Sequence, residues 1–407
     1  MKERTLVLVV GGVQLVNVLD FVMVMPLGPD FAAGLGIATS HIGVVGGSYT
    51  AAAAVAGLAG ATFLDRFDRR KALAVAMLGL VFGTALGGFA TGLGSLLFAR
   101  VLAGAFGGPA TALSLAIVSD VVPPERRGSA LGVVMTAFSV ASILGVPAGL
   151  ELATWFGWRA PFFAVAGLGL VFTAVSFKLL PPLTSHLNRD PTPSRDGRLF
   201  DGLTALTLLN TALVMGSVFA IVPNISAFLQ HNLGYPREHL GMLYLVGGIA
   251  SFVATRLIGT LVDRFGATKL VTFGTLVYAS ALYFGFVHRL DVSHVIYVFT
   301  LLMLSASLRG VPLNTLATRV PHRSQRARFM SAQSAVQHLS SSAGALVTSL
   351  WLDAEPSGKL VGMASVSLTA IGFALFVPVL SAVIERRVKQ REQERAPAAA
   401  PSPEPAA

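Results

Sequence analysis

The sequence predicts an all-α membrane protein of twelve transmembrane helices in two pseudo-symmetric six-helix bundles. Three observations predict it. Of 407 residues, 54% are hydrophobic and only 12% charged, whereas a soluble domain carries about 25% charged residues. Many apolar runs reach the roughly 20 residues that cross about 30 Å of hydrocarbon as helix. The chain also carries its landmarks twice. Asp65-Arg66-Phe67 recurs as Asp263-Arg264-Phe265, and Pro123 recurs at the same offset as Pro321, each proline followed by arginines.

Hydropathy and turn signals place six spans in the first half, at 5–28, 40–63, 71–92, 94–120, 128–152 and 158–180. Six more follow at 201–223, 239–262, 269–288, 294–320, 328–352 and 359–384. Run 5–28 lacks a small-residue cleavage site with a soluble domain behind it, so it reads as a span rather than a removable leader. Backbone groups in lipid must be satisfied within the segment, and no run shows the alternation of a barrel strand, so the spans are helices. The predicted organisation is an N-terminal bundle at 1–180, a polar, Pro-rich linker at 181–200, a C-terminal bundle at 201–385 and a disordered tail at 386–407.

Basic residues set the orientation. With both termini cytoplasmic, 23 of the 30 Lys and Arg fall on the cytoplasmic side and four on the other, namely Arg159, Arg237, Arg289 and Lys359. Arg100, Arg256 and Arg309 lie inside spans. The net charge of +10 therefore reflects cytoplasmic loops in a cell inner membrane, not nucleic-acid binding. With no Cys there is no disulfide framework, no Cys-ligated metal and no thiol chemistry.

Ala61-x-Phe63-x-Asp65-Arg66-x-Asp68-Arg69-Arg70 and Gly259-x-Leu261-x-Asp263-Arg264-x-Gly266 occupy the 2–3 and 8–9 junctions. Arg100 precedes Gly104, Gly107 and Gly108 in span 4. Span 5 carries Gly145-Val146-Pro147-Ala148-Gly149, followed by Gly157-Trp158-Arg159. In this order the motifs resemble the major facilitator superfamily, and within it the bacterial drug:proton antiporters and sugar-efflux exporters. Two glycines of the 2–3 loop pattern are replaced, by Ala61 and Asp68, and the second copy lacks the trailing arginines. The resemblance covers the chain except its tail.

Asp20 is the single acidic residue deep in an apolar span, about 12 Å from the outer end of helix 1, and Arg100 lies roughly 9 Å from the outer end of helix 4. A lone charge at the bilayer centre costs about 2.5–3.5 kcal/mol, so these residues need partners, water or neutralisation. Burial raises a carboxyl pKa and a nearby arginine lowers it, which makes Asp20 with Arg100 the expected proton-coupling pair; the alternative is a fixed ion pair tethering two helices. The resemblance implies that helices 1, 4, 7 and 10 line a central cavity. Asn17, Arg309, Asn210 and Gln337 are then the expected substrate contacts, with Gln333 and His338 as further polar positions and interhelical hydrogen bonds as the alternative role. It also implies gating by Asp65, Arg66, Arg70, Asp263 and Arg264, against the plainer role of fixing topology. Gly145, Pro147, Gly149 and Pro312 are expected helix-kink positions. No metal site is expected, since His338 has no second ligand at i+4.

No Walker loop, no Gly-x-Gly-x-x-Gly between strand and helix and no Ser-His-Asp arrangement occurs. The expectation is a secondary transporter rather than an enzyme, without cofactor, acting as a monomer in the lipid bilayer on protons and a small amphiphilic compound. Proton-coupled efflux by alternating access is the leading reading. Import of a metabolite by symport or uniport, and a non-transporting receptor or scaffold, are the alternatives.

Overall fold

The structure is a computed structural model. It describes residues 3–184, 187, 201–288, 291–321 and 326–395, without the side chains at 61–63, 65, 124, 125, 127–129, 263, 326 and 327. Most of the linker 181–200 and the tail from 396 lie outside the described residues.

Among the described residues, twelve long helices run antiparallel in sequence order. The first half holds α1 (Glu3–Val24), α2 (Ile42–Phe63), α3 (Arg69–Gly88), α4 (Leu93–Val121), α5 and α6 (Ala160–Leu179). Helix α5 combines Pro124–Val140, a π-helical turn Ala141–Gly145, and Val146–Phe156. The second half holds α7 (Gly202–Phe219), α8 (Leu240–Phe265), α9 (Ala267–Leu282), α10 (Val295–Arg319), α11 (Arg326–Trp351) and α12 (Met363–Arg395). Eleven of these, among the described residues, are long and apolar enough to cross a membrane. Helix α11 has the length, 26 residues, but carries Gln333, Gln337, His338 and three consecutive serines. Leu8, Val75, Phe82, Phe98, Phe373 and Phe376 are each more than half exposed along these helices, an apolar exterior that suits lipid rather than water.

Within each half, glycine governs how closely helices approach. A Cβ at Gly104 or Gly108 would overlap the Tyr49 or Ala53 carbonyl oxygen, so α4 presses against the backbone of α2. Between halves, α2 packs on α11 and α5 on α8. Gly43 and Gly47 face Ala345 and Leu346, and Ser342 donates to the Gly47 carbonyl at 2.9 Å. Gly248 faces Ile143. Phe21 stacks on Phe219 at 5.8 Å between ring centroids. All these cross-half contacts lie toward the end of the molecule remote from the α1 N-terminus, called here the far end.

Four features differ from the sequence expectation. The first span stops at Val24, not at 28, because Pro26 breaks the helix and a separate short helix, Gly28–Leu35, follows. Asp20 is therefore one turn from the helix end, about 6 Å rather than 12 Å. In α5 the irregularity is a π-turn over Ala141–Gly145, closed by the Val146 N–H on the Ala141 carbonyl, one residue ahead of Pro147, which has no N–H to donate. Residues 386–395, expected in a disordered tail, continue α12 as helix. Lys389 pairs with Glu385 at 2.8 Å, and Arg391 and Glu392 pair with Asp201 and Arg319, which anchors the extension. Finally, a two-residue antiparallel hairpin joins α11 to α12, Asp353 opposite Val361 and Ala354 opposite Leu360.

Candidate functional site

The first half converges on a buried polar network. Asp20 is 0% and Arg100 1% exposed. Arg100 Nη1 lies 2.9 and 3.0 Å from the two Asp20 carboxylate oxygens, and Nη2 donates to the Asp20 main-chain oxygen at 3.2 Å. The guanidinium also stands over the Tyr49 ring, 4.6 Å from its centroid. Thr84 Oγ1 is 2.7 Å from Asp20 Oδ1 and 2.8 Å from the Leu80 carbonyl oxygen. One hydroxyl proton can serve only one of these acceptors, so Thr84 can donate to a charged Asp20 or turn to Leu80 and accept from a neutral one.

Asn17, one turn before Asp20, closes the network. Its amide donates to the Gly107 carbonyl at 2.8 Å and to Thr111 Oγ1 at 2.6 Å, and it accepts from Tyr49 Oη at 2.8 Å. Four helices, α1 to α4, thus meet on one set of charges. Tyr49 and Thr84 escaped the sequence reading. The available signal was that Tyr49 is the only tyrosine in residues 1–200; Thr84 carried none, since a span threonine usually bonds its own helix.

Among the described residues, the second half buries one arginine. Arg309 is 1% exposed, its Nη2 donates to Ser217 Oγ at 3.2 Å, and its guanidinium stands 4.3 Å from the Tyr278 ring centroid. The other expected substrate contacts are not gathered around it. Asn210 donates to Ser381 Oγ at 3.0 Å between α7 and α12. Gln337 is half-buried on α11, its carbonyl accepting from Ser341. Gln333 is 3.5 Å from Asn314 Oδ1. Asn17 lies in the Asp20 network rather than free to meet a ligand. Helix α10 runs through Pro312 without interruption. A Cβ at Gly145 would overlap Leu19, so this glycine seats α5 against α1, and Gly149 faces Met23.

At the opposite end, near the termini, the expected gating residues divide. Arg66 and Arg264 are exposed, the latter over the Phe265 ring. Arg70 donates to the Leu180 carbonyl at 3.3 Å and stands over Phe177, both at the end of α6 in its own half. The Asp65 and Asp263 side chains lie outside the described residues. Asp68, which replaces a glycine of the loop pattern, caps α3 by accepting from the Arg70 N–H at 2.9 Å, and also accepts from the Leu183 N–H at 3.0 Å. Glu385 plays the matching part at α9, accepting from the Thr268 N–H at 2.9 Å.

At the far end an ion pair joins the halves. Arg237 Nε lies 2.9 Å from Asp30 Oδ1 and its Nη2 donates to the Leu150 carbonyl at 3.2 Å. Arg159, of the Gly157-Trp158-Arg159 motif, stands over Trp158 and donates to Ala90, tying the α5–α6 turn to the α3–α4 turn.

The sequence matches the profile of the Major Facilitator Superfamily over residues 10–345 and again over 207–403. The chain belongs to that superfamily. Among superfamily relatives it is 27% identical over 344 residues to the chloramphenicol resistance protein of Streptomyces lividans, covering 81% of this chain and 84% of that one. It is 28% identical over 241 residues to the inner membrane transport protein YdhP of Escherichia coli, 59% of this chain and 61% of that one. Solved major facilitator structures share the fold. A bacterial homolog of the human lysosomal transporter Spinster, inward-facing and occupied, aligns with a TM-score of 0.74 at 14% identity, over 94% of this chain and 97% of that one. A D-xylose–proton symporter aligns with a TM-score of 0.74 at 18% identity, over 92% and 96%. As a superfamily member the protein is a multi-pass membrane transporter of small molecules, not an enzyme.

Proposed function

We propose that this transporter is a proton-coupled exporter of a small amphiphilic compound, working by alternating access with Asp20 as the proton site. The carrying observation is the fully buried Asp20 carboxylate held by Arg100 and Thr84. An ionisable residue at this depth is retained at a cost and is a functional candidate by default. Its charge state is coupled to its surroundings in a defined way. The ionised form suits Arg100; the neutral form suits Thr84 turned toward Leu80. Moving α4 relative to α1 withdraws the arginine and favours protonation.

One comparison favours export. The relative from Streptomyces lividans is a resistance protein. With both termini in the cytoplasm, as the basic loops favour, the far end is extracellular and the cross-half contacts close it, a state in which an exporter loads its substrate from the cytoplasm. Across an assumed ~150 mV, one inward proton charge supplies about 3.5 kcal/mol, or roughly 2.5 decades of gradient.

The test uses energised inverted membrane vesicles with a pH-sensitive dye and a panel of drugs and sugars, wild type beside Asp20→Asn. A compound that dissipates the proton gradient with wild type alone supports antiport through Asp20. Equal responses in both would remove Asp20 as the proton site.

A further inference from the structure

Arg309 stands in the second half much as Arg100 stands in the first. Each is on the fourth helix of its half, is 1% exposed, faces a polar group of the first helix and stands over a tyrosine ring, Tyr49 of the second helix for Arg100 and Tyr278 of the third for Arg309. The anion differs. Arg100 faces Asp20, whereas α7 presents the Ser217 hydroxyl to Arg309. Among the described residues no carboxylate lies within ion-pair distance of Arg309, and its Nε and Nη1 have no hydrogen-bond acceptor. The Tyr278 hydroxyl donates its proton to the Ser217 carbonyl at 2.8 Å and supplies no negative charge to Arg309. Thr275 Oγ1, one turn before Tyr278 on α9, is also buried without a partner.

A guanidinium is always charged and presents a fork of donors that matches a carboxylate or phosphate edge. Burying one with two donors idle is costly unless an anion comes from outside the chain. Arg256, also within a span, does not share this setting: it is exposed and lies over Phe252. We infer that Arg309, with Ser217 and Thr275, is an anion-binding site, and that the transported compound is an amphiphile carrying one carboxylate or comparable monoanionic group. The inference rests on the transport reading above and specifies its substrate class. Arg309 is 1% exposed in this conformation, so access requires a neighbouring helix to move; α7, which presents Ser217, is also the helix whose Phe219 stacks on Phe21 across the halves. Phe21 adjoins Asp20, which links the anion site to the proposed proton site through a single aromatic contact.

The experiment uses the purified full-length protein in detergent. Binding is followed by thermal shift for matched pairs of probes: phenylbutyrate, naphthoate and dodecanoate, each beside its primary amide, with sodium chloride as a separate arm. At least one acid should bind wild type about tenfold or more tightly than its amide, the scale of a charge-assisted pair. Arg309→Gln should abolish that preference while leaving the amide within about twofold, and Arg309→Lys, which keeps the charge, should retain part of it. The inference is overturned if no acid outbinds its amide in wild type, or if Arg309→Gln keeps the preference. It is overturned too if chloride protects as well as the acids, which would make this an inorganic ion site. An acid that binds through Arg309 but never dissipates the vesicle proton gradient would sink the proton-coupled export reading and leave the anion site standing without its role in that export. Asp20-dependent transport of neutral compounds, unchanged in Arg309→Gln, would do the reverse.

Discussion

Asp30 and Arg237 bridge the two halves at the far end, their side chains 24% and 20% exposed, while the same arginine holds the last turns of α5 through the Leu150 carbonyl. A partly exposed pair is worth about 0.5–1 kcal/mol. Replacing Asp30 by Asn is expected to shift the population open at the far end by about two- to fivefold. The chain has no native cysteine, so His41→Cys with Ser357→Cys can carry spin labels there without background. The labelled distance distribution should gain a longer component in Asp30→Asn and lose it again in Asp30→Arg with Arg237→Asp. An unchanged distribution would show that the pair does not hold the halves together.

The Asp20–Arg100 pair should be costly to break from one side only. Asp20→Asn leaves a buried guanidinium without its counter-charge, a loss of about 3–5 kcal/mol for pairs of this kind. Asp20→Asn combined with Arg100→Gln should recover most of that stability, read as melting temperature in detergent. Proton-coupled transport should not return in the double variant. Recovery of both would reduce the pair to a tether between α1 and α4.

Helix spacing offers a sharper contrast. Gly104→Ala sets a methyl against the Tyr49 carbonyl, with backbone on both sides and no flexible side chain to yield. Overpacking of this kind costs about 1–3 kcal/mol. Gly132→Ala, in α5, meets nothing within 4 Å and should be neutral or stabilising by up to about 1 kcal/mol. Equal melting temperatures for the two variants would contradict the close approach of α2 and α4.

Asp201 caps α7 through the Thr204 N–H and pairs with Arg391 on the α12 extension. Partial burial pushes its carboxyl up, but the Thr204 and Arg391 hydrogen bonds outweigh this and hold it below the usual carboxylate range. A carboxyl lowered by folding adds stability above its unfolded pKa of about 3.9 and loses it as pH falls through the folded value. Asp201→Asn keeps a capping side chain and removes the charge. Its deficit in melting temperature should be constant from pH 8 to about 5 and shrink below about pH 4. A deficit independent of pH down to 3 would assign the effect to the cap alone.

The spans were legible because charge and hydropathy report directly on a membrane environment, and a charge inside a span announces that it needs a partner. That logic places Asp20 and Arg100 at similar depth before any coordinates are known. It does not say which helices adjoin, so Tyr49 and Thr84 on α2 and α3, and Tyr278 beside Arg309, went unread. Asn210 looks like a cavity residue by helix number, yet it bonds Ser381 inside its own half. The α12 extension is charged and runs into an Ala/Pro-rich tail, with which its sequence groups it, and its ion pairs to Asp201 and Arg319 hold it as helix. Pro26 is a plain stop signal, masked by the apolar run that surrounds it.

The cross-half contacts described above, from Gly43 against Ala345 to Phe21 against Phe219, sit toward one end of helices 20 to 30 residues long. Such a grouping is a fulcrum set at the tip of two levers. A 20-residue helix spans about 30 Å, so pivoting by about 10° at the far end sweeps its other end through roughly 5 Å. A small slip in Gly-lined packing at one tip thus opens or shuts an aperture of molecular width at the other.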